Sequence, residues 1–394
     1  MNRITLGRHT LSLLVGILAL VAIAFSGTRS SEPSIATPGI ATEDIDLRNV
    51  ASIAEDKYDY AGLSSYLGDT IPFLVSEDGK VRRIKAGDDP VTISGAPWVG
   101  FRGRFETVIV DVSGRDVEVT ANGLDIEDTR PNERPRILRF THGRPGAVEG
   151  ELGDAVTHLQ YLHLPGWLAW LCRIVEWLYT SLQNVSLGSW TLALVLLAIL
   201  IRILLAPIHT LTARWQSEVS THRAALEPEH RRIKENLKGE DAHKALMESY
   251  KSRGISPYYT LKPLLATILG LPILIAIFNM LGEVEPLRHQ GFLWADSLAY
   301  PDSLFKLPNS IPFFGDHFNV FPFLMFGVTV LSAHLVVPKE TPLTEVRRQR
   351  RGLVFMGLFF LVLFYPFPSG MVIYWTLVTL LTLLAGRFVQ SHSD

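Results

Sequence analysis

Arg202 is the residue whose type and setting most require a chemical explanation. It stands inside WTLALVLLAILIRILLAP, Trp190 to Pro207, a run with no other charge. At a rise of about 1.5 Å per residue it lies roughly 18 Å from the tryptophan and roughly 7.5 Å from the proline, off-centre in a hydrocarbon layer of about 30 Å. An arginine at mid-membrane costs on the order of 2.5 to 3.5 kcal/mol, and such residues face a bundle interior or a water-filled cavity. The other reading is a snorkelling side chain whose head reaches the nearer headgroups. The helix by itself leaves both open. Covalent chemistry has no comparable candidate. The sequence contains no HExxH, GxSxG or phosphate-binding loop, and its single cysteine, Cys172, excludes an internal disulfide framework and a Cys-rich metal site. The expectation is no enzyme, no cofactor and no metal.

The elements that would hold such an arginine are apolar blocks. The 394 residues are 47% hydrophobic and 19% charged, and the apolar residues are concentrated in runs rather than spread with an amphipathic period. That pattern describes a polytopic α-helical membrane protein with a soluble insert. Besides Trp190 to Pro207, the blocks run from Pro263 to Leu281, Phe321 to Val337, Gly352 to Tyr365 and Met371 to Phe388. Basic residues set their orientation. Lys339 to Arg351 holds Lys339, Arg347, Arg348, Arg350 and Arg351 and is expected in the cytoplasm, whereas Gly282 to Asn319 holds only Arg288 and Lys306 and is expected outside. At the N-terminus, Arg3 and Arg8 precede an apolar run from Leu11 to Phe25, which fits either a cleaved signal peptide or a retained signal anchor. A retained anchor gives six spans, both termini in the cytoplasm, and a tight external turn at Tyr365 to Gly370.

Four other stretches carry their own signals. Thr28 to about Asp69 reads as a linker with at most short ordered pieces. From Ile71 to Thr141, short β-branched and aromatic runs are punctuated by Asp78-Gly79, Ser113-Gly114 and Asn122-Gly123, which predicts a small antiparallel β domain. Within FETVIVDV, Val108, Val110 and Val112 alternate with Thr107, Ile109 and Asp111, as one face of a partly buried sheet requires. From Leu164 to Val185, Trp167, Leu171, Ile174, Leu178 and Leu182 fall at helical spacing, while Trp167, Trp170 and Trp177 suit the headgroup level. That helix is either interfacial, lying on the outer membrane surface, or a soluble amphipathic helix of the β domain. His209 to Ser256 is polar and basic, with thin apolar stripes on both sides of Gly239-Glu240-Asp241. It predicts a cytoplasmic helical hairpin with little core of its own, touching RNA or anionic lipid or simply solvated.

The order of these features resembles the YidC-type membrane protein insertases. The resemblance rests on an arginine late in the first core helix, the charged hairpin, Ser256-Pro257 with Pro263-Leu264-Leu265, and Leu271-Pro272-Ile273. It also includes the external Phe292-Leu293-Trp294-Ala295-Asp296-Ser297-Leu298 and the final Phe367-Pro368-Ser369-Gly370-Met371-Val372-Ile373-Tyr374-Trp375. It covers roughly Leu162 to Phe388, and more weakly Trp98 to Phe105 resembles the membrane-proximal part of the family's outer domain. The resemblance implies a five-helix core enclosing a hydrophilic groove, an uncleaved N-terminal anchor helix, and a bacterial inner-membrane location. Residues 1–27 would be the anchor, 28–160 the linker and extracytoplasmic β domain, and 161–388 the core, with the interfacial helix at 164–185 and the hairpin at 209–256. Arg202 would be the groove's cation, and Tyr374 and Trp375 would line the path of nascent membrane-protein clients. Clients, the lipid bilayer, a Sec translocon and the ribosome are the implied partners, with no specific nucleic-acid sequence. The outer domain is shorter than is usual in the family, and Pro263 to Pro272 is about one helical turn longer. A secondary transporter or channel is the alternative. It should show further intramembrane ionisable groups at a midplane site, and here only Arg202 and, near helix ends, His334 and Arg387 are present, with no carboxylate.

Overall fold

The computed structural model describes residues 28–30, 39–40, 46–56, 58–86, 89–113, 115–126, 135–142, 152–153, 155–256, 258–335 and 343–390. The expected anchor at 1–27 and the first four residues of the loop from Lys339, up to Pro342, lie outside them. The chain divides into two compact units, Met1–Ile199 with Ala276–Asp394, and Leu200–Ile275.

The first unit begins with the β domain. Its strands are β1 (Thr28–Ser30), β2 (Gly39–Ile40), β3 (Ile71–Val75), β4 (Val81–Arg83), β5 (Val91–Ile93), β6 (Trp98–Arg102), β7 (Glu106–Asp111), β8 (Val117–Val119), β9 (Leu124–Ile126) and β10 (Ile137–Thr141). A six-stranded antiparallel sheet has the order β2-β10-β7-β6-β3-β4, and β5-β8-β9 form a second, three-stranded sheet. Residues of the expected linker contribute to the core. Helix α1 (Ala51–Ala54) buries Ala51 and Ala54, with Val50 beside them, against Val99, Phe101, Val108 and Val110. At the β6–β7 turn, Gly103 is required: a Cβ there would sit 1.7 Å from the Ala54 carbonyl oxygen.

Val108, Val110 and Val112 do share a face, but Thr107 and Ile109 on the opposite face are just as fully buried. The second face is covered by Phe73, Leu138 and Phe140 and by helix α2 (Ala155–Leu159), so β7 is a central strand with core on both sides. Helix α3 (Gly166–Val185) buries Leu168, Ala169, Cys172, Val175 and Tyr179, whereas Trp167, Leu171, Ile174 and Leu178 stay partly exposed.

Helix α4 (Trp190–Leu204) leads across the unit boundary into α5 (Ala206–Asn236), α6 (Gly239–Ser252) and the start of α7 (Lys262–Glu283). In the second unit, α5 and α6 form a helical hairpin closed by Arg253, which bonds Glu229 at 2.8 Å and the Ala225 carbonyl at 3.0 Å. Leu226 is the one fully buried large apolar side chain among the described residues of these two helices. The first unit resumes at Ala276 with the rest of α7 and then β11 (Gln290–Phe292), which pairs with β1. A hairpin of β12 (Phe305–Ile311) and β13 (Gly315–Phe318) follows, then α8 (Phe321–Leu335), α9 (Leu343–Phe364) and α10 (Ser369–Gln390). Among the described residues no single helix is long and apolar enough to cross a membrane; α4 and the first part of α5 pass that test only as a pair broken at Leu205.

Candidate functional site

Arg202 falls in the last turn of α4, where a cation is favoured by the helix dipole. The run does not continue as one helix to Pro207, as the sequence suggested. It ends at Leu204, and Pro207 occupies the opening turn of α5, where its missing N–H costs nothing. The preceding turns are tightly buried, with Ala193, Leu194, Leu197 and Ala198 fully so, whereas Ile203 and Leu204 are exposed. Arg202 itself is half-buried. Among the described residues no carboxylate lies within ion-pair distance of its guanidinium.

Tyr374 and Trp375 belong to the first unit, on the second turn of α10. The structure brings these two together in an aromatic cluster with α7 and α9. Tyr374 is fully buried, edge-on to Phe278 at 6.3 Å, and Trp375 packs on Phe278, Phe360 and Phe364 at 6.2, 4.9 and 5.6 Å between ring centroids. The two sequence stretches flanking this cluster also meet. The Ser369 and Gly370 N–H groups at the start of α10 donate to the Tyr300 and Leu298 carbonyls, both at 2.8 Å, and the Ser369 hydroxyl donates to the Ser297 carbonyl. These contacts satisfy donors that the first turn of a helix cannot use internally. Asp302 does the same for α8, accepting from the Val320 and Phe321 N–H groups at 2.7 and 3.0 Å.

Sequence reasoning missed a buried ionic seam where the β domain meets the end of α7. Arg102 is ion-paired to Glu283, both almost wholly buried. Glu283 also lies 3.3 Å from His163 Nδ1 and accepts from the Tyr161 N–H. Two residues along, Arg104 donates to the Gly282 carbonyl and to the Tyr60 hydroxyl, and lies 3.7 Å from Asp56. Asp56 accepts from the Tyr60 and Tyr300 hydroxyls at 2.6 and 3.1 Å. Burial, reinforced by Asp56, pushes the Tyr300 phenol up to about 12. Each arginine is thus committed to the C-terminal carbonyls or carboxylate of α7, where a positive charge is favoured. The signal was Arg102-Gly103-Arg104, two cations within Val99 to Phe105, where every other residue is apolar or glycine.

Next to this seam, His142 is buried with its Nε2 2.7 Å from the Thr107 hydroxyl. Burial first, and Arg102 second, hold its imidazole well below the usual histidine range. The folded state keeps it neutral while the unfolded chain protonates, so the associated stability is present above about pH 6.5 and is lost as pH falls, at about 1.4 kcal/mol per unit. The loss should therefore accumulate as pH is lowered from 6.5 toward 5. His142→Gln should flatten the thermal midpoint over that window; an unchanged slope would assign the acid sensitivity elsewhere.

A chain from Chlorobium limicola named "Membrane protein insertase YidC" is 30% identical over 215 residues, 54% of this chain and 35% of the relative. Proteins of the same name from Chlamydia caviae and Chloroherpeton thalassium are 31% and 30% identical over 258 and 237 residues, covering 63% and 58% of this chain and 32% and 38% of theirs. The chain spans about a third of the length of these relatives. The sequence model described as "60Kd inner membrane protein" matches residues 182–394, more than half of the chain, from the last turn of α3 through α10. On that match, the chain belongs to the 60Kd inner membrane protein family.

Proposed function

We propose that this protein receives apolar segments of nascent membrane proteins in a hydrated groove and releases them sideways into lipid, the activity named for its relatives. The observation that carries this reading is Arg202: a guanidinium within an apolar helix, half-buried and without a carboxylate partner among the described residues. A charge so placed needs water or a polar client to solvate it. A partly hydrated groove shortens the low-dielectric path, so a client's polar residues cross less hydrocarbon while its apolar helix leaves into the bilayer. Trp375, partly exposed, then borders the client's path as a broad, sequence-tolerant contact, with the buried Tyr374 supporting it from within the same cluster. No covalent step is involved.

In this reading 1–27 is a retained anchor, 28–160 holds the outer β domain, and 161–388 is the core, with α3 on the outer surface of the inner membrane. The α5–α6 hairpin and both termini face the cytoplasm. The ribosome on the hairpin side and a Sec translocon alongside are the partners it adds to clients and lipid. Reconstitution into liposomes with a small single-span client tests it. Protease-protected client should rise several-fold over protein-free liposomes; solute flux without client insertion would instead establish a transporter or channel.

A further inference from the structure

A cavity of about 710 Å³ lies beside α3, bounded by the β3–β4 turn and α2, and Lys80, Arg82, His158 and Arg173 line it. Its carboxylate, Asp78, is already held by Lys80 at 2.6 Å. Glu176, one turn beyond Arg173, is engaged elsewhere, accepting from Gln160 and Tyr161 at 2.8 and 3.0 Å. Two arginines are therefore left to face an outside anion. Part of the lining is apolar, including Leu152 and Leu164. The cavity also has a defined position on the helix. At 100° per residue, Gly166, Ala169 and Arg173 fall roughly 80° around α3 from the face carrying Trp167, Trp170 and Trp177. Those three indoles are 61%, 60% and 66% exposed, an apolar face with aromatic rings of the kind that settles among lipid headgroups.

We propose that this cavity binds the phosphodiester headgroup of an acidic phospholipid in the outer leaflet, with Arg82 and Arg173 as its ligands. The proposal rests on the reading of α3 as an interfacial helix. The two non-bridging oxygens of a phosphodiester give an acceptor to each of two guanidinium forks, beside a neutralised Lys80–Asp78 pair. The apolar lining accommodates the glycerol and the first methylenes. A seated headgroup would fix α3, and through the Gln160–Tyr161–Glu176 bonds the segment leading to the β domain, at a set depth.

The test uses the full chain in phosphatidylcholine nanodiscs doped with phosphatidylglycerol, with retained lipid counted by native mass spectrometry after transfer to detergent. The wild type should retain phosphatidylglycerol in preference to phosphatidylcholine, and Arg82→Gln with Arg173→Gln should reduce that preference roughly tenfold to thirtyfold. Arg82→Lys with Arg173→Lys should keep most of it. An unchanged preference in the glutamine variant overturns the site. Displacement of the retained lipid by millimolar inorganic phosphate would show a free-anion site and overturn the lipid assignment. Quenching by brominated acyl chains, compared between wild type and Trp167→Phe/Trp170→Phe/Trp177→Phe, reports on α3 separately. No quenching difference would remove the interfacial reading and the proposal with it, whereas normal quenching with unchanged lipid preference would remove the proposal alone.

Discussion

Glu283→Ala is expected to destabilise the first unit by about 3–5 kcal/mol, because it strands the Arg102 guanidinium in a site where it is only 4% exposed. At about 2–4 °C per kcal/mol, the thermal midpoint in detergent should fall by on the order of 10 °C. The loss has three parts: the ion pair itself, the acceptor for the Tyr161 N–H, and the charge facing His163. Glu283→Gln keeps the volume and an acceptor oxygen, so it should fall between the two. The informative variant is the double one, Arg102→Met with Glu283→Leu. Replacing both members of a buried pair by apolar groups of similar size is often neutral, since the desolvation of two charges is relieved together. It should therefore be clearly more stable than Glu283→Ala. If the double variant is as unstable as the single one, the seam acts through its shape or its other hydrogen bonds, and the ion-pair account fails.

That seam also marks where the sequence stopped being informative. The strands, the hairpin helices and the apolar blocks were legible because each is written in a local period or a local turn, and the observed β6, β7 and β10 fall on the runs that alternate or carry β-branched residues. Arg202 was legible because a charge in an apolar run is anomalous without reference to anything distant. By contrast, Arg104 meets Gly282 across 178 positions, and no local pattern records such a partner. The second buried face of β7 was hidden for a related reason. Ile109 lies in an unbroken apolar run, where period-two reasoning cannot say that Phe140 and α2 will cover it. In α3 two apolar stripes coexist. Periodicity alone does not say which of them packs inward; the protein buries the stripe with Ala169 and Cys172, whose small side chains allow close approach. Tyr374 and Trp375 were singled out through resemblance alone, and their partner Phe278 lies nearly a hundred positions away.

Arg202→Leu should insert with unchanged topology, since removing an intramembrane charge eases insertion. Client insertion should nevertheless fall. The effect should be greatest for clients with acidic translocated tails, by about tenfold, which corresponds to about 1.4 kcal/mol on the crossing barrier. A guanidinium without a carboxylate partner among the described residues can lend its field to a client's carboxylate and keep water in the groove; a leucine does neither. Arg202→Lys should retain part of the activity, because the ammonium keeps the charge on a long stem but loses the planar five-donor fork. A snorkelling arginine makes a different prediction. Its head would already lie among headgroups, so both variants would insert acidic-tailed clients almost normally. The measurement is insertion of matched clients with acidic and neutral tails, at equal protein level, in liposomes and in cells depleted of their own insertase. Full rescue by Arg202→Leu across the acidic-tailed set would remove Arg202 from the mechanism and leave it as an anchor at the membrane boundary.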